Sequence, residues 1–355
     1  MSSSLKTPQK FRILKFLLLV SFSLVFVAVV CFLTLEEKIN QPLNVSKAEL
    51  ITINSGASIS QLANILLQKK WLKNKFWFRN YPRIHTQLAK VKAGTYQITV
   101  GTTAKQLLEQ LVLGKEHQFS LTFVEGTTFK QWLSLLKQQP YINNSLSGKS
   151  IAEISKLLHI EHTNPEGLFF PDTYAYTAGT TDLTILQHAH QQMVKQLASL
   201  WQDRARNLPF NNPYQALIMA SIIEKETSKL DEQPLIASVF INRLAKKMRL
   251  QTDPTVIYGL GERYQGDITR QHLKEKTPYN TYRIKGLPPT PIAMPGKSAL
   301  KASMHPKQSN YLYFVSKGNG YHVFSTSLKD HNKAVRRFLL QSSPPTKSSQ
   351  SKGIK

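Results

Sequence analysis

Twenty consecutive residues without a charge, Phe16 to Leu35, constrain this 355-residue chain more than any other feature. At the rise of an α-helix, about 1.5 Å per residue, such a run is about 30 Å long and spans the hydrocarbon core of a bilayer. Four basic residues and no acidic residue precede the run, and Glu36 and Glu37 follow it. Because a basic flank stays in the cytoplasm, we expect residues 1–15 to be cytoplasmic, residues 16–35 to span the membrane once, and the remainder to lie on the other side.

A cleaved signal peptide is the competing interpretation of this N terminus. The apolar region of a signal peptide is shorter, about 7–15 residues, and ends in a small-x-small cleavage site. Here the run ends in Cys31, Phe32 and Leu33, which favours a retained anchor. Cys31 is the only cysteine of the sequence, so neither an intrachain disulfide nor a cysteine zinc site is possible. Val30 precedes it where a lipoprotein would carry a small residue.

The chain is strongly basic, with 46 Lys and Arg against 21 Asp and Glu and a net charge of +25. Removing the four basic residues before the span leaves +21 on the part beyond the membrane. Outside the cytoplasm nucleic acid is not an expected partner. An anionic membrane face or an acidic wall polymer is a plausible partner for this charge, and a merely solvated basic surface is the alternative.

Beyond the span, changes in composition divide the chain into four parts. Residues 36–50 are polar and mixed, which predicts a short tether. Residues 51–118 form a small module and residues 119–340 a larger mixed domain, so the predicted fold class is α+β. Residues 341–355 are rich in Ser, Pro and Lys and are expected to be a disordered tail.

The small module contains a strand followed by a helix, twice over. Residues 51–53 and 91–98 alternate as strands do, and a capping residue, Ser58 or Thr103, precedes apolar residues at helical spacing. The module resembles LysM, a glycan-binding unit, and three aromatic residues are candidates for stacking on sugars: Trp71, Trp77 and Tyr96. The alternative is that these aromatic residues belong to the core of a packing unit.

A helix predicted to begin after the cap Asn212 carries two acidic residues with different surroundings. At about 100° per residue, Glu226 falls in the middle of the apolar arc of this helix, and Glu224 falls outside it. Desolvation would raise the pKa of Glu226, and a carboxyl group that is protonated near neutral pH can act as a general acid. The alternative is a glutamate that makes a buried hydrogen bond or ion pair at a helix end.

Polar and aromatic loops follow a second helix, predicted over residues 234–244, that is apolar nearly all round. They cover residues 250–258, 279–282 and 286–296, and they are typical of a carbohydrate groove, which needs hydrogen bonds to hydroxyl groups and apolar faces for sugar rings. Residues 311–315 and 321–324 predict a β-hairpin. The sequence has no dinucleotide fingerprint, Walker loop, H-E-x-x-H or G-x-S-x-G, so neither a metal nor a cofactor is expected.

Several long motifs resemble the endolytic murein transglycosylases, the YceG-like family, and the resemblance covers essentially the whole chain. The motifs are, in order, KAGTY (92–96), FFPDT (169–173), ASIIEKET (220–227), SVFINRL (238–244), LQTDPTVIYG (250–259), YNTY (279–282), GLPPTPIAMPG (286–296) and YLYFVSKGNGYHVFSTSLKDHNKAV (311–335).

The resemblance implies a single-pass inner-membrane enzyme whose catalytic domain is periplasmic. Such an enzyme cuts nascent peptidoglycan strands internally at the β-1,4 bond from N-acetylmuramic acid to N-acetylglucosamine, leaves 1,6-anhydromuramic acid ends and so limits strand length. It uses no cofactor. Its partners are glycan strands, the inner membrane and peptidoglycan synthases.

Residues 223–227, IEKET, are similar to the I-x-x-E-S/T segment of lysozyme-like lytic transglycosylases, which assigns catalysis to Glu226. In the resulting hypothesis this carboxyl first acts as acid and then as base. Five further residues are assigned to substrate positioning: Gln251, Asp253, Tyr258, Asn280 and Tyr282. Two other functions stay open, a non-catalytic membrane-anchored scaffold that binds peptidoglycan and a hydrolytic muramidase that would require a second carboxylate.

Overall fold

The computed structural model describes residues 9–340. The tail predicted over residues 341–355 and the first eight residues of the predicted cytoplasmic segment lie outside the described residues. The chain separates into two compact units, with the division between Phe119 and Ser120. Among the described residues, the first unit combines α-helices with one two-stranded sheet and the second unit combines them with two. This confirms the α+β class.

The first helix, α1, runs from Gln9 to Ile39 and contains the whole apolar run. From Phe11 to Ile39 it is a candidate membrane span, with a mean hydropathy of 3.0 over its most apolar 18 residues. None of that window is buried inside the protein, so its apolar side chains are available to lipid.

The segment predicted as a tether, residues 36–50, is instead part of the folded first unit. Helix α1 continues to Ile39, and the side chains of Ile39, Leu43 and Val45 are buried in the hydrophobic core. The backbone N–H of Leu43 donates to Thr102 O at 2.9 Å. Residues 36–50 are therefore packed into the first unit and do not form the short tether that their composition predicted.

The first unit is built on one antiparallel strand pair. Its elements are β1 (Glu49–Ile53), α2 (Ile59–Gln68), α3 (Phe76–Ile84), β2 (Gly94–Ile98) and α4 (Ala104–Leu113). Strands β1 and β2 pair with Ile51 opposite Tyr96. Capping boxes begin α2 and α4, where Ser58 and Thr103 accept from the third helical N–H, as their sequence predicted. Helix α3 was not predicted.

Two of the three aromatic residues proposed to stack on sugars are core residues. Trp71 is 4 % exposed and Tyr96 is fully buried, and the Tyr96 hydroxyl donates to Lys92 O at 3.0 Å. Because both rings are part of the hydrophobic core of the first unit, they are not available to stack on an external sugar. Trp77 is only partly buried.

The second unit surrounds one apolar helix, α8. The elements are β3 (Phe119–Thr122), α5 (Phe129–Lys137), α6 (Ile151–Leu157), β4 (Thr173–Tyr176), α7 (Asp182–Gln202), α8 (Pro213–Glu226), α9 (Gln233–Ala245), α10 (Asp253–Leu260), α11 (Arg270–Lys274), α12 (Lys297–Met304), β5 (Tyr313–Ser316), β6 (His322–Ser325) and α13 (Leu328–Val335), followed by a π-helical turn over Arg336–Leu340. Strand β3 pairs with β4, and β5 pairs with β6 in the predicted hairpin.

Helix α8 packs against α7, α9, α10 and α12, and every residue from Ala216 to Ile223 is buried. The helix is thus buried on all its faces, whereas the projection of the sequence predicted only one buried face. The helix ends at Glu226, because Thr227 adopts an extended conformation with φ −150°. A carboxyl group therefore stands at the end of the most buried helix of this unit.

Candidate active site

The two ends of α8 fix the position of Glu226. At the start, the Asn212 side chain accepts from the N–H of Gln215 at 3.0 Å, and Pro213 occupies the first turn, where its missing N–H has no partner to lose. Both features were predicted. At the other end, Glu226 is partly accessible, whereas Ile222 and Ile223 before it are completely buried. The helix thus presents one carboxyl group at the edge of its own core.

The loop between α9 and α10 lies against this carboxyl group and has a fixed backbone. Gln251 has φ +52°, in the left-handed region that residues other than glycine rarely adopt. Its N–H donates to Thr281 O at 3.3 Å. Arg243 of α9 holds the same loop, since Nη1 donates to Leu250 O at 2.8 Å and to Gln251 Oε1 at 3.3 Å. These contacts hold an unusual conformation in place.

Thr252 is the residue of this loop that contacts Glu226. Its hydroxyl donates to Glu226 Oε1, and its own N–H donates to the Thr281 hydroxyl oxygen at 3.0 Å. Thr252 is 2 % exposed and Thr281 is fully buried. One carboxyl oxygen of Glu226 is therefore held by a buried hydroxyl whose position is set by a second buried threonine.

Burial raises the pKa of Glu226 to about 7. The Thr252 hydrogen bond lowers this pKa, the nearby charge of Asp253 raises it, and the charge of Arg243 lowers it, each by less than burial does. The desolvation predicted for Glu226 from the sequence is present in the structure. A carboxyl group with this pKa is protonated in about half of the molecules at neutral pH.

Glu226 lines a cavity of about 430 Å³. Side chains of polar and aromatic residues supply most of the remaining wall, including Arg243, Gln251, Thr252, Asp253, Tyr282, Tyr313, His331 and Asn332. Inside the cavity wall, the Tyr282 hydroxyl donates to Asp253 Oδ1 at 2.6 Å. Carboxylate, amide, hydroxyl and aromatic groups on one concave surface are the groups that bind the hydroxyls and apolar faces of a sugar.

Three of the five residues assigned to substrate positioning line this cavity with Glu226, namely Gln251, Asp253 and Tyr282. Asn280 does not, because its side chain is used inside the protein. It is 1 % exposed, and its amide nitrogen donates to the carbonyls of His272 at 3.1 Å, Leu273 at 3.3 Å and Glu275 at 2.7 Å. The Asn280 side chain therefore holds the end of α11 and does not line the cavity.

Tyr258 also lies away from the cavity, in a second polar cluster. Its hydroxyl donates to Glu166 Oε2 at 3.2 Å and accepts from Asn164 Nδ2 at 3.1 Å. Glu166 is 4 % exposed and also accepts from the N–H of Phe129 at 2.9 Å. Burial raises the pKa of Glu166 to about 7, so this is a second perturbed carboxyl group. Tyr258 therefore does not line the cavity that holds Glu226, to which the sequence had assigned it.

Sequence reasoning missed Arg243, Thr252 and His331. Arg243 sits in a helix that looked apolar nearly all round. An arginine in such a helix was itself a signal of a polar site, because a buried arginine needs several acceptors. Thr252 immediately precedes the proline-containing start of α10, where a threonine is usually a helix cap, and here its hydroxyl serves Glu226 instead. His331 lies far along the chain, and only the packing of α13 brings it to the cavity. Burial lowers its pKa, as does the charge of Arg243.

Glu224 lies on the other side of α8 and has a different partner. Its Oε2 accepts from the N–H of Gly296 at 3.0 Å. Burial raises its pKa, while the Gly296 hydrogen bond lowers it. Two residues apart on one helix, Glu224 thus fastens a loop and Glu226 faces a cavity.

Comparison with known proteins gives a consistent result. The model of the YceG-like family matches residues 51–337. The chain is 33 % identical to the endolytic murein transglycosylase of Bacillus subtilis, over 81 % of this chain and 84 % of that protein. It is 26 % identical to the endolytic murein transglycosylase of Streptococcus pneumoniae serotype 2, over 83 % of this chain but 59 % of that longer protein.

A solved structure is similar as well. The crystal structure of a YceG-like protein from Listeria monocytogenes superposes with a TM-score of 0.52 at 32 % sequence identity, and the match covers 82 % of this chain and 100 % of that one.

Proposed function

The chain belongs to the YceG-like family, and from this premise we propose that it is a membrane-anchored endolytic murein transglycosylase whose catalytic residue is Glu226. The observation that carries the proposal is the carboxyl group of Glu226, with a pKa raised to about 7, in the wall of a polar and aromatic cavity. The bond that it cuts is the β-1,4 link from N-acetylmuramic acid to N-acetylglucosamine, within a strand rather than at its end.

In the first step protonated Glu226 donates its proton to the glycosidic oxygen. The bond from that oxygen to the muramyl anomeric carbon breaks, and the electron pair leaves with the N-acetylglucosamine hydroxyl. Positive charge develops on the anomeric carbon, and Glu226 becomes anionic as this occurs. The donated hydrogen bond from Thr252 stabilises the anion at that moment.

In the second step the muramyl 6-hydroxyl closes a ring on the anomeric carbon. The carboxylate of Glu226 takes the proton of that hydroxyl as the new carbon–oxygen bond forms, which gives the 1,6-anhydro end and restores the protonated acid. No water is consumed, so one carboxyl group is sufficient. Hydrolysis would need a second carboxylate at about 5 Å or about 6.5–9.5 Å.

Gln251, Asp253 and Tyr282 are proposed to position the sugar, because their side chains line the same cavity as Glu226. The Tyr282 hydroxyl is already bonded to Asp253, and Gln251 Oε1 already accepts from Arg243, which leaves the second carboxylate oxygen of Asp253 and the amide nitrogen of Gln251 for sugar hydroxyls. Tyr258 and Asn280 are not carried forward as sugar contacts, since each is engaged elsewhere.

The proposed location follows from α1. With its basic flank in the cytoplasm, the chain would span the inner membrane once and hold both units in the periplasm, where nascent strands emerge. Peptidoglycan synthases, which make those strands, are the proposed protein partners. A LysM-like role for residues 51–118 and catalysis by residues 119–340 belong to the same proposal, and the strongly basic composition suits an anionic surface or polymer.

Product analysis on glycan strands that lack peptide crosslinks tests the proposal. The wild-type chain should release internal fragments with 1,6-anhydro ends, and Glu226→Gln should abolish this release, since glutamine cannot donate the required proton. The matched control is Glu224→Gln, two residues earlier on the same helix, which still accepts from Gly296 and should give the wild-type products.

Two results would overturn the proposal. Reducing ends in place of anhydro ends, a difference of one water in mass, would identify a muramidase. Binding of glycan with no change in strand length, in wild type and Glu226→Gln alike, would identify a non-catalytic scaffold.

A further inference from the structure

An apolar crevice of about 650 Å³ separates the candidate membrane span from the helix that sequence analysis missed, α3. Its walls are almost entirely apolar and include Val25, Phe32 and Leu35 of α1 and Phe76, Trp77 and Ile84 of α3. Of these, Phe76 is 49 % exposed and Ile84 is 57 % exposed. In water such side chains would be unfavourably placed, so their surroundings in the cell need explanation.

The span itself indicates what surrounds this crevice. Its α1 wall extends from Val25 to Leu35, and these residues all belong to the uncharged run that was expected to cross the bilayer. Ten residues of helix correspond to about 15 Å, roughly half of the hydrocarbon core. If α1 crosses the membrane, the crevice lies at the depth of lipid acyl chains, in the half of the bilayer nearest the first unit.

Helix α3 cannot move away from that depth without breaking specific contacts. Glu36, the first charged residue after the run, has Oε1 at 3.0 Å from His85 Nε2, and its Oε2 accepts from the Tyr81 hydroxyl at 3.4 Å. The rings of Tyr81 and His85 stack with centroids 4.2 Å apart. Phe78 and Tyr81 of α3 are also buried in the core of the first unit. The helix is therefore clamped against the end of the span.

A cavity of about 590 Å³ with both polar and apolar lining residues adjoins the same helix. Its polar and basic side chains are those of Lys38, Gln41, Asn44, Lys73 and Asn74, and Trp77 lines both this cavity and the apolar crevice. Lys38 lies three residues beyond the end of the uncharged run. The surrounding segment, residues 69–92, contains eight basic residues and no acidic residue.

We propose that the crevice and the cavity together bind one anionic phospholipid of the membrane. The acyl chain lies between α1 and α3, and the phosphate lies in the cavity with Lys38 and Lys73. Trp77 stands between apolar and polar halves, as tryptophan does at the membrane interface. Lysine side chains bind a phosphate as point charges, and a basic segment beside a bilayer favours anionic lipid. This site assigns Trp77 to lipid rather than to sugar, and it is independent of the role of Glu226.

Fluorescence quenching tests the apolar half. The full chain is reconstituted in phosphatidylcholine vesicles with about a quarter of phosphatidylglycerol, with ordinary or brominated acyl chains. The difference between wild type and Trp77→Phe isolates the emission of Trp77, which should be quenched by roughly half or more if the ring borders the acyl chains. Trp201→Phe, a change in the second unit, is the control. The emission that this change removes should be the same with ordinary and with brominated lipid.

Retention of lipid tests the polar half. The full chain is released from the same vesicles, and native mass spectrometry counts the phosphatidylglycerol that remains bound. Lys38→Gln/Lys73→Gln should lower the retained phosphatidylglycerol several-fold, whereas the exposed pair Lys137→Gln/Lys149→Gln should retain the wild-type amount.

Three outcomes would overturn the proposal. The first is that brominated lipid leaves the emission of Trp77 unchanged, and the second is that both lysine pairs lose lipid equally. The third is that Trp77 is quenched in vesicles of the pure chain but becomes shielded when another membrane protein is added, because a helix of that protein would then be the true occupant of the crevice.

Discussion

Replacing Thr252 with valine should move the pH dependence of the reaction toward higher pH. Valine has nearly the same volume and lacks only the hydroxyl, which donates a hydrogen bond to Glu226. That bond favours the ionised carboxylate and lowers the pKa of Glu226. Without it the carboxyl group holds its proton to a higher pH.

The size of the change follows from the charge on the acceptor. A hydrogen bond to a charged group contributes about 1.5–3 kcal/mol, and 1.36 kcal/mol corresponds to one pKa unit. The protonated carboxyl retains part of the interaction, so the lower end applies and the pKa of Glu226 should rise by about one unit. The starting value is about 7.

The assay is the initial rate of anhydro-end formation on uncrosslinked glycan, measured from about pH 5 to pH 9. The high-pH limb of kcat/KM reports the pKa of the general acid in the free enzyme, since activity is lost when that acid ionises. The limb should lie about one unit higher in Thr252→Val than in wild type.

Asp253→Asn gives a comparison of opposite sign. The negative charge of Asp253 raises the pKa of Glu226, so its removal should move the limb toward lower pH, by less because Asp253 is exposed. If the limb of Thr252→Val coincides with that of wild type or moves to lower pH, the hydroxyl does not control the proton of Glu226 and the mechanistic reasoning fails.

Three further variants have defined outcomes. Glu226 and Glu166 both have a pKa of about 7 in the folded chain against an ordinary 4.5, so the folded state binds their protons more tightly and loses stability as pH rises from about 4.5 to 7. Glu226→Gln should therefore unfold at a higher temperature than wild type at pH 8, and the two should differ little at pH 4. The gain in the free energy of unfolding at pH 8 should be about 1–3 kcal/mol, less than full burial would give, because one edge of the carboxyl group faces the cavity. Glu166→Gln should show the same dependence, up to about 3 kcal/mol, in thermal unfolding, and a gain that is equal at both pH values would contradict the assigned pKa. Asn280→Ala removes the side-chain donor that three backbone carbonyls share and should lower the free energy of unfolding by about 2–4 kcal/mol in urea titrations, whereas a raised KM with unchanged stability would instead indicate a sugar contact.

Sequence reasoning succeeded where one local rule was sufficient. The helix caps at Asn212 and Ser58 and the hairpin over residues 313–325 each depend on a few neighbouring residues. The position of Glu226 on its helix followed from the 100° rotation per residue, which places it with apolar residues. The raised pKa followed from that position, although the burial of α8 on all faces did not.

The remaining features depend on residues distant in sequence. Thr252 meets Glu226 across 26 positions, and His331 joins the same cavity only because α13 packs beside it. Asn280 looked like a groove residue since its neighbours are tyrosines, but its amide lies under three carbonyls of the preceding turn. Neither spacing nor composition distinguishes an asparagine that binds a ligand from one that closes a helix end.

Helix α1 continues without a break from the apolar run into the core of the first unit. This continuity fixes which face of the span is turned toward α3. Since Leu35 and Ile39 are both buried there, no swivel separates the apolar run from the fold. One residue inserted between Glu36 and Ile39 would turn the whole span by about 100° against α3, while four inserted residues would nearly restore its orientation. The rotation of the membrane segment about its own axis is therefore set by the packing of the first unit to which it is joined.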